Sequence, residues 1–173
     1  AYAKRFDDPK RDAWQKPDEV IAALALKPSM AIADIGAGTG YFAIRLAKTA
    51  EAPTVYAVDV EPAMIDYLKT RAEKENRPNV VPVLGDADSP KLPAPVDLVI
   101  VVDTYHHIGA RPSYFRRLAG SLNPGGRLAI IDFRKDSPEG PPVAFRFAPD
   151  QITKELAEAG FALEASHDFL PRQ

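Results

Sequence analysis

The stretch Ala33–Tyr41 reads ADIGAGTGY and leads straight into FAIRLAKTA. Its glycines, Gly36, Gly38 and Gly40, alternate with small residues, so a ligand can come close to the main chain. Asp34 stands two places ahead of the first glycine. A carboxylate there repels a pyrophosphate and suits an ammonium. The dinucleotide fingerprint wants glycine at its first, third and sixth places, and the sixth place here is Tyr41. That bulk argues against NAD. Asp59, 23 residues beyond Gly36, is placed to accept both hydroxyls of a ribose. NAD enzymes carry an acid at this place too, so Asp59 supports a ribose without choosing the cofactor. His106 and His107 follow an apolar run, and histidine is the usual general base near neutral pH. Asp103 and Tyr105 are alternative liners of the same site. The remaining histidine, His167, lies late in the chain, so no metal site is expected.

These residues need a scaffold. Pro17 with Asp18 and Glu19 opens a helix that is expected to run to Lys27–Pro28. Strands are then expected at 31–35, 54–60, 79–85, 96–103, 127–133 and 161–170. Helices are expected at 41–50, from Pro62 through Arg71, at 111–122 and at 150–159, the last ending on Gly160. Pro82 points to an edge or irregular position for the third strand. VDLVIVVD (96–103) is apolar on both faces, as a central parallel strand is. Residues 134–149 carry four prolines and read as a long loop, and residues 1–16 as an irregular arm. The alternation predicts an α/β fold, a doubly wound sheet with helices on both faces.

Composition narrows the class. At 173 residues the chain suits one domain. We expect it to comprise an arm and helix (1–28), a cofactor-binding core (29–133) and a loop, helix and strand (134–173). The net charge of −2 gives no footprint for a general nucleic-acid binder. Cysteine is absent, which removes thiolate metal sites and cysteine nucleophiles. No apolar run approaches the roughly 20 residues of a membrane span. A cytoplasmic location is expected, or an exported one if a signal was removed before Ala1; oligomeric state is not legible.

Asp34 with the alternating glycines resembles the first motif of class I S-adenosylmethionine-dependent methyltransferases. GDAD (85–88), VDLVIVVDTYHHI (96–108) and LNPGGRLAII (122–131) are similar to that family's later landmarks, in order, over roughly residues 30–133. The resemblance implies a mostly parallel Rossmann-like sheet, S-adenosylmethionine as cofactor and S-adenosylhomocysteine as product. It implies cofactor contacts at Asp34, Gly36, Gly38, Tyr41, Asp59, Val60, Met64, Asp86, Ala87 and Asp103. Asp86, with Asp88 as a rival, would face the adenine amino group. Met64 packs either on adenine or in the core. Tyr41 and Tyr105 are candidates to face the sulfonium, and His106, His107 and Tyr105 are the catalytic candidates.

In the family the segment before the first strand folds over the cofactor. Arg5, Phe6, Arg11, Trp14 and Gln15 are therefore candidate lid residues. Trp14 is either a pocket wall or a pin for the arm. The family's last antiparallel strand has no counterpart after FALEASHDFL, so it is expected to be missing or replaced. With no inserted substrate domain, a small-molecule acceptor is expected. Two other readings stay open: a nucleotide-binding protein without turnover, and an NAD(P)-linked oxidoreductase, disfavoured by Tyr41 and by the lack of a Tyr-x-x-x-Lys dyad.

Overall fold

The computed structural model describes residues 6–173, so Arg5 lies outside the described residues. Five strands form one sheet: β1 (Ala31–Ile35), β2 (Thr54–Asp59), β3 (Val80–Leu84), β4 (Val96–Val102) and β5 (Leu122–Ile131). Their order is β3-β2-β1-β4-β5, and every pairing is parallel. The order reverses between β1 and β4, the point at which such sheets open a crevice beyond their carboxyl ends. Ile35 is level with Val58 on one side and Val101 on the other. This register brings the ends of β1, β2 and β4 to one line.

Alternation along the strands feeds two cores. Ile32, Val55, Ala57, Leu98 and Ile100 pack with α2 (Pro17–Ala23), α3 (Tyr41–Ala47) and α4 (Pro62–Lys74). Ala33, Val58, Val99 and Val101 pack with α5 (Arg111–Ala119) and α6 (Pro149–Glu158). Leu46, Leu68, Leu98 and Leu118 are fully buried, each worth roughly 1.5–3 kcal/mol of transfer free energy. Pro82 does lie in an edge strand, opposite Ala57. The NPGG turn is absorbed into β5 as a bulge, since Val96 faces Leu122 while Leu98 faces Arg127.

Three expectations are corrected. The arm is not wholly irregular: α1 (Arg11–Gln15) forms within it, too short to leave a periodic signature and tied down by its side chains. Helix α2 stops at Ala23, and Ala25 turns into the left-handed region. Residues 161–170 form no strand. Leu163 is 68% exposed, while Phe169 and Leu170 dock against the core that holds Val20 and Leu24. A strand needs a ladder partner; here only the ends of the segment are anchored, Phe161 in one core and Phe169 and Leu170 in the other, and residues 162–168 between them are exposed.

Candidate active site

Asp59 ends β2 and organises the glycine loop. Its Oδ2 accepts the Gly38 N–H at 2.9 Å, and its Oδ1 accepts the Glu61 N–H at 3.0 Å. The Gly36 and Ala37 amides both donate to the Val58 carbonyl at 2.9 Å, holding the turn tight. A Cβ at Gly38 would meet nothing within 4 Å, so the loop faces open space at that residue. Val60 beside it is exposed, and Met64 is half-buried on α4.

Asp34 is buried beneath the loop. Burial pushes its carboxyl up to about 7; the Arg11 guanidinium and the Ala43 amide oppose this, and Asp59 adds to it. Asp103 follows β4 in the left-handed region, at φ 54°, a strained geometry worth noting at a site. Burial also pushes its carboxyl up to about 7, against Arg11 and with Asp132 adding to the rise. Arg11 of α1 lies 3.5 Å from Asp103 and also bonds Gln15 and the Phe6 carbonyl. Gln173 donates to Asp103 and accepts from the buried Gln15. The arm is thus fastened over the carboxyl ends of the strands, and Asp7 extends the fastening to Thr39 and Arg71.

The raised pair has a consequence for stability. Both folded values lie above the ordinary carboxyl value of 3.8. The stabilisation from keeping them protonated is complete below about pH 3.8 and is lost as pH rises through about 7. Without cofactor, the chemical-denaturation midpoint should therefore fall between about pH 4 and 7 and level off above that, and Asp34→Asn should flatten the fall. An equal slope in both proteins would refute it.

Other expected residues sit differently. Both the Arg11 and Arg45 guanidiniums lie at the Tyr41 ring, 4.0 and 3.9 Å from its centroid, and its hydroxyl donates to Asp12. Tyr41 is 3% exposed. Its ring is engaged in holding the arm rather than open to a sulfonium. Tyr105 is corrected more sharply. It is fully buried between Phe115 and Phe147, with its hydroxyl on Glu155, itself paired with Arg111. It belongs to the α5–α6 core. Asp86 caps its own turn by accepting the Asp88 and Ser89 amides and pairs with Lys91 at 2.8 Å; Ala87 and Asp88 are exposed beside it. Trp14 packs against Phe133 with the rings tilted and their centroids 5.6 Å apart, and Arg172 lies 5.1 Å from the Trp14 ring.

His106 and His107 form a 3-10 turn with Tyr105. Asp132, just beyond β5, is a site residue the sequence did not single out: its carboxylate holds His106 Nδ1. The only sequence signal was its place at the carboxyl end of a strand. His107 is more exposed, and the partial burial of its ring, then His106, lower its pKa. Among the described residues no group of three or more His, Asp or Glu could hold a metal. None of their helices is long and apolar enough to cross a membrane.

Three acids, Asp34, Asp59 and Asp103, lie around the glycine turn. A cation beside the raised pair would favour their ionised forms whereas a pyrophosphate would oppose them, which suits a cationic, ribose-bearing ligand. Residues 32–126 match the model of a family described as a methyltransferase domain. The chain belongs to this methyltransferase family. It is 30% identical over 167 residues to 27-O-demethylrifamycin SV methyltransferase of Amycolatopsis mediterranei, covering 87% of this chain and 61% of that one. It is 34% identical to tRNA (guanine(37)-N(1))-methyltransferase Trm5b of Pyrococcus abyssi, over 72% of this chain and 33% of that one. The chain thus spans less than two thirds of the length of either relative. A SAM-dependent methyltransferase from Aquifex aeolicus superposes with a TM-score of 0.84 at 29% identity, over 92% of this chain and 86% of that one. S-adenosylmethionine is the cofactor of this family and fold.

Proposed function

We propose that this methyltransferase moves the methyl group of S-adenosylmethionine to a small-molecule acceptor beyond the carboxyl ends of β1, β2 and β4. The observation that carries the reading is Asp59, fixed by the Gly38 and Glu61 amides at the end of β2. When bound, the cofactor supplies an already activated methyl on a sulfonium. The chain's own residues then have to bind, align and keep water out. Asp59 holds the ribose hydroxyls. Asp34, released from its burial penalty by a cation, takes the ammonium of the amino-acid tail. Arg11, already beside Asp103, is within the same cluster to meet the tail's carboxylate.

The arm supports a small acceptor. It lies across the site through Arg11, Asp12 and Gln15, so Trp14 and Phe133 form a wall rather than an open groove. The relatives' printed acceptors, 27-O-demethylrifamycin SV and tRNA, span both sizes, so the reading rests on this closure.

Titration calorimetry with S-adenosylmethionine, S-adenosylhomocysteine and NADH tests it. Heat with both sulfur compounds and none with NADH is expected. No heat with either sulfur compound would sink the reading, and heat with NADH alone would revive the oxidoreductase. Cofactor binding without turnover on a broad panel of small acceptors would mark a binding protein instead.

A further inference from the structure

Methyl transfer as such needs no base, yet the site holds a built one. His106 Nδ1 lies 3.1 and 3.0 Å from the two carboxylate oxygens of Asp132. Both side chains are 8% exposed. Asp132 is itself fixed, since its Oδ1 accepts the Phe133 N–H at 2.8 Å and its Oδ2 the His106 N–H at 3.4 Å. A carboxylate can only accept, so it selects the tautomer with hydrogen on Nδ1 and leaves the Nε2 lone pair bare. Nε2 bonds to no protein group among the described residues. The one buried side-chain polar atom among them without a partner is Arg77 Nε. Nε2 therefore opens onto free space.

Acceptors differ in whether they require such a group. An amine with a free lone pair can attack a methyl directly and shed its proton afterwards. A hydroxyl is a weak nucleophile until its proton departs, and a carboxylate-oriented imidazole is the arrangement that removes it. We propose that His106 is the general base, that Asp132 is its positioning residue, and that the acceptor atom is the oxygen of a hydroxyl group. This rests on the methyl-transfer reading above. The acceptor O–H bond breaks as its proton passes to Nε2. The O–CH3 bond forms as the S–CH3 bond breaks, with the electron pair leaving on sulfur as a neutral thioether. Asp132 keeps accepting the Nδ1 hydrogen throughout, and the imidazolium returns its proton to water. The other charged and titratable groups around His106 are Asp103 at the end of β4, Arg11 through Asp103, and His107, whose ring centroid is 4.1 Å away. Asp132 also acts on His107 through space, but only His106 is hydrogen-bonded to it, and that bond separates the two rings.

Two measurements decide the matter. Long-range 1H–15N spectra of the cofactor-free protein report the tautomer without any turnover. Hydrogen on Nδ1 of His106 is expected in the neutral ring, with that preference lost in Asp132→Ala; hydrogen on Nε2 in the wild type overturns the proposal. Transfer of labelled methyl is then measured on paired hydroxyl and amine probes, beginning with 4-nitrophenol and benzylamine and widening to a panel of each class. His106→Ala should lower hydroxyl methylation about 100-fold or more, with S-adenosylhomocysteine affinity unchanged. Asp132→Ala should displace the acid limb of the pH–rate profile. Turnover on no hydroxyl probe, or an equal loss on amines, overturns it. If S-adenosylhomocysteine does not bind the wild type, the methyl-transfer reading fails, while the tautomer still reports on the dyad.

Discussion

Asp59→Ala should weaken S-adenosylmethionine binding at least tenfold, as read by calorimetry beside a thermal melt that confirms the fold. The carboxylate has two tasks at one place. It would accept the ribose hydroxyls through charge-assisted bonds, each worth about 1.5–3 kcal/mol. It also holds the Gly38 amide at 2.9 Å, so the glycine turn is pulled against the end of β2. Because the Glu61 amide already fixes the other oxygen at 3.0 Å, ligand binding freezes no further rotamer of this side chain. Alanine removes the hydroxyl acceptors and frees the loop together. Asp59→Asn keeps one oxygen for either task and should fall between the two. Asp86→Ala is the contrast, since that carboxylate is engaged by its own turn and Lys91, and its effect should be smaller. Unchanged affinity in Asp59→Ala would remove the ribose assignment.

The sheet was legible because its signals are local. A strand apolar on both faces, such as Val96–Val102, can only be central, and Pro82 could only sit where a ladder bond is dispensable. Asp34 drew attention because it stands ahead of the alternating glycines, and Asp59 because it is an acid at the carboxyl end of an apolar strand. What sequence could not give was direction and partnership. Tyr41 and Tyr105 lie close in sequence to site residues, yet one is clasped by two guanidiniums and the other sits in the α5–α6 core. Asp132 read as the end of an apolar strand until the fold brought it to His106, 26 residues away. Gln15 and Gln173 meet across 158 residues, a pairing no spacing rule foresees. The segment 161–170 had the composition of a strand, but composition does not supply an edge to pair with.

Gly36→Ala should destabilise the fold by about 2–5 kcal/mol, a large share of the 5–15 kcal/mol typical of a domain. Two separate penalties combine. Gly36 has φ +76°, and the left-handed region disfavours a Cβ by about 1–2 kcal/mol. That Cβ would also stand 2.8 Å from the Thr104 Cβ, with Oγ1 and Cγ2 closer still. Overpacking of this kind costs about 1–3 kcal/mol. Thr104 cannot readily swing aside, because its hydroxyl donates to the Val102 carbonyl at 3.0 Å. Nor can the loop retreat, because the Gly36 and Ala37 amides share the Val58 carbonyl. The two penalties separate in a double-mutant cycle with Thr104→Gly, followed by urea denaturation. The double variant should recover the steric part and keep the backbone part. Gly38→Ala should show the backbone part alone, since a Cβ there, at φ +54°, meets nothing within 4 Å. If Gly36→Ala and Gly38→Ala prove equally destabilising, the close approach of β1 to the end of β4 is not what makes the first glycine necessary.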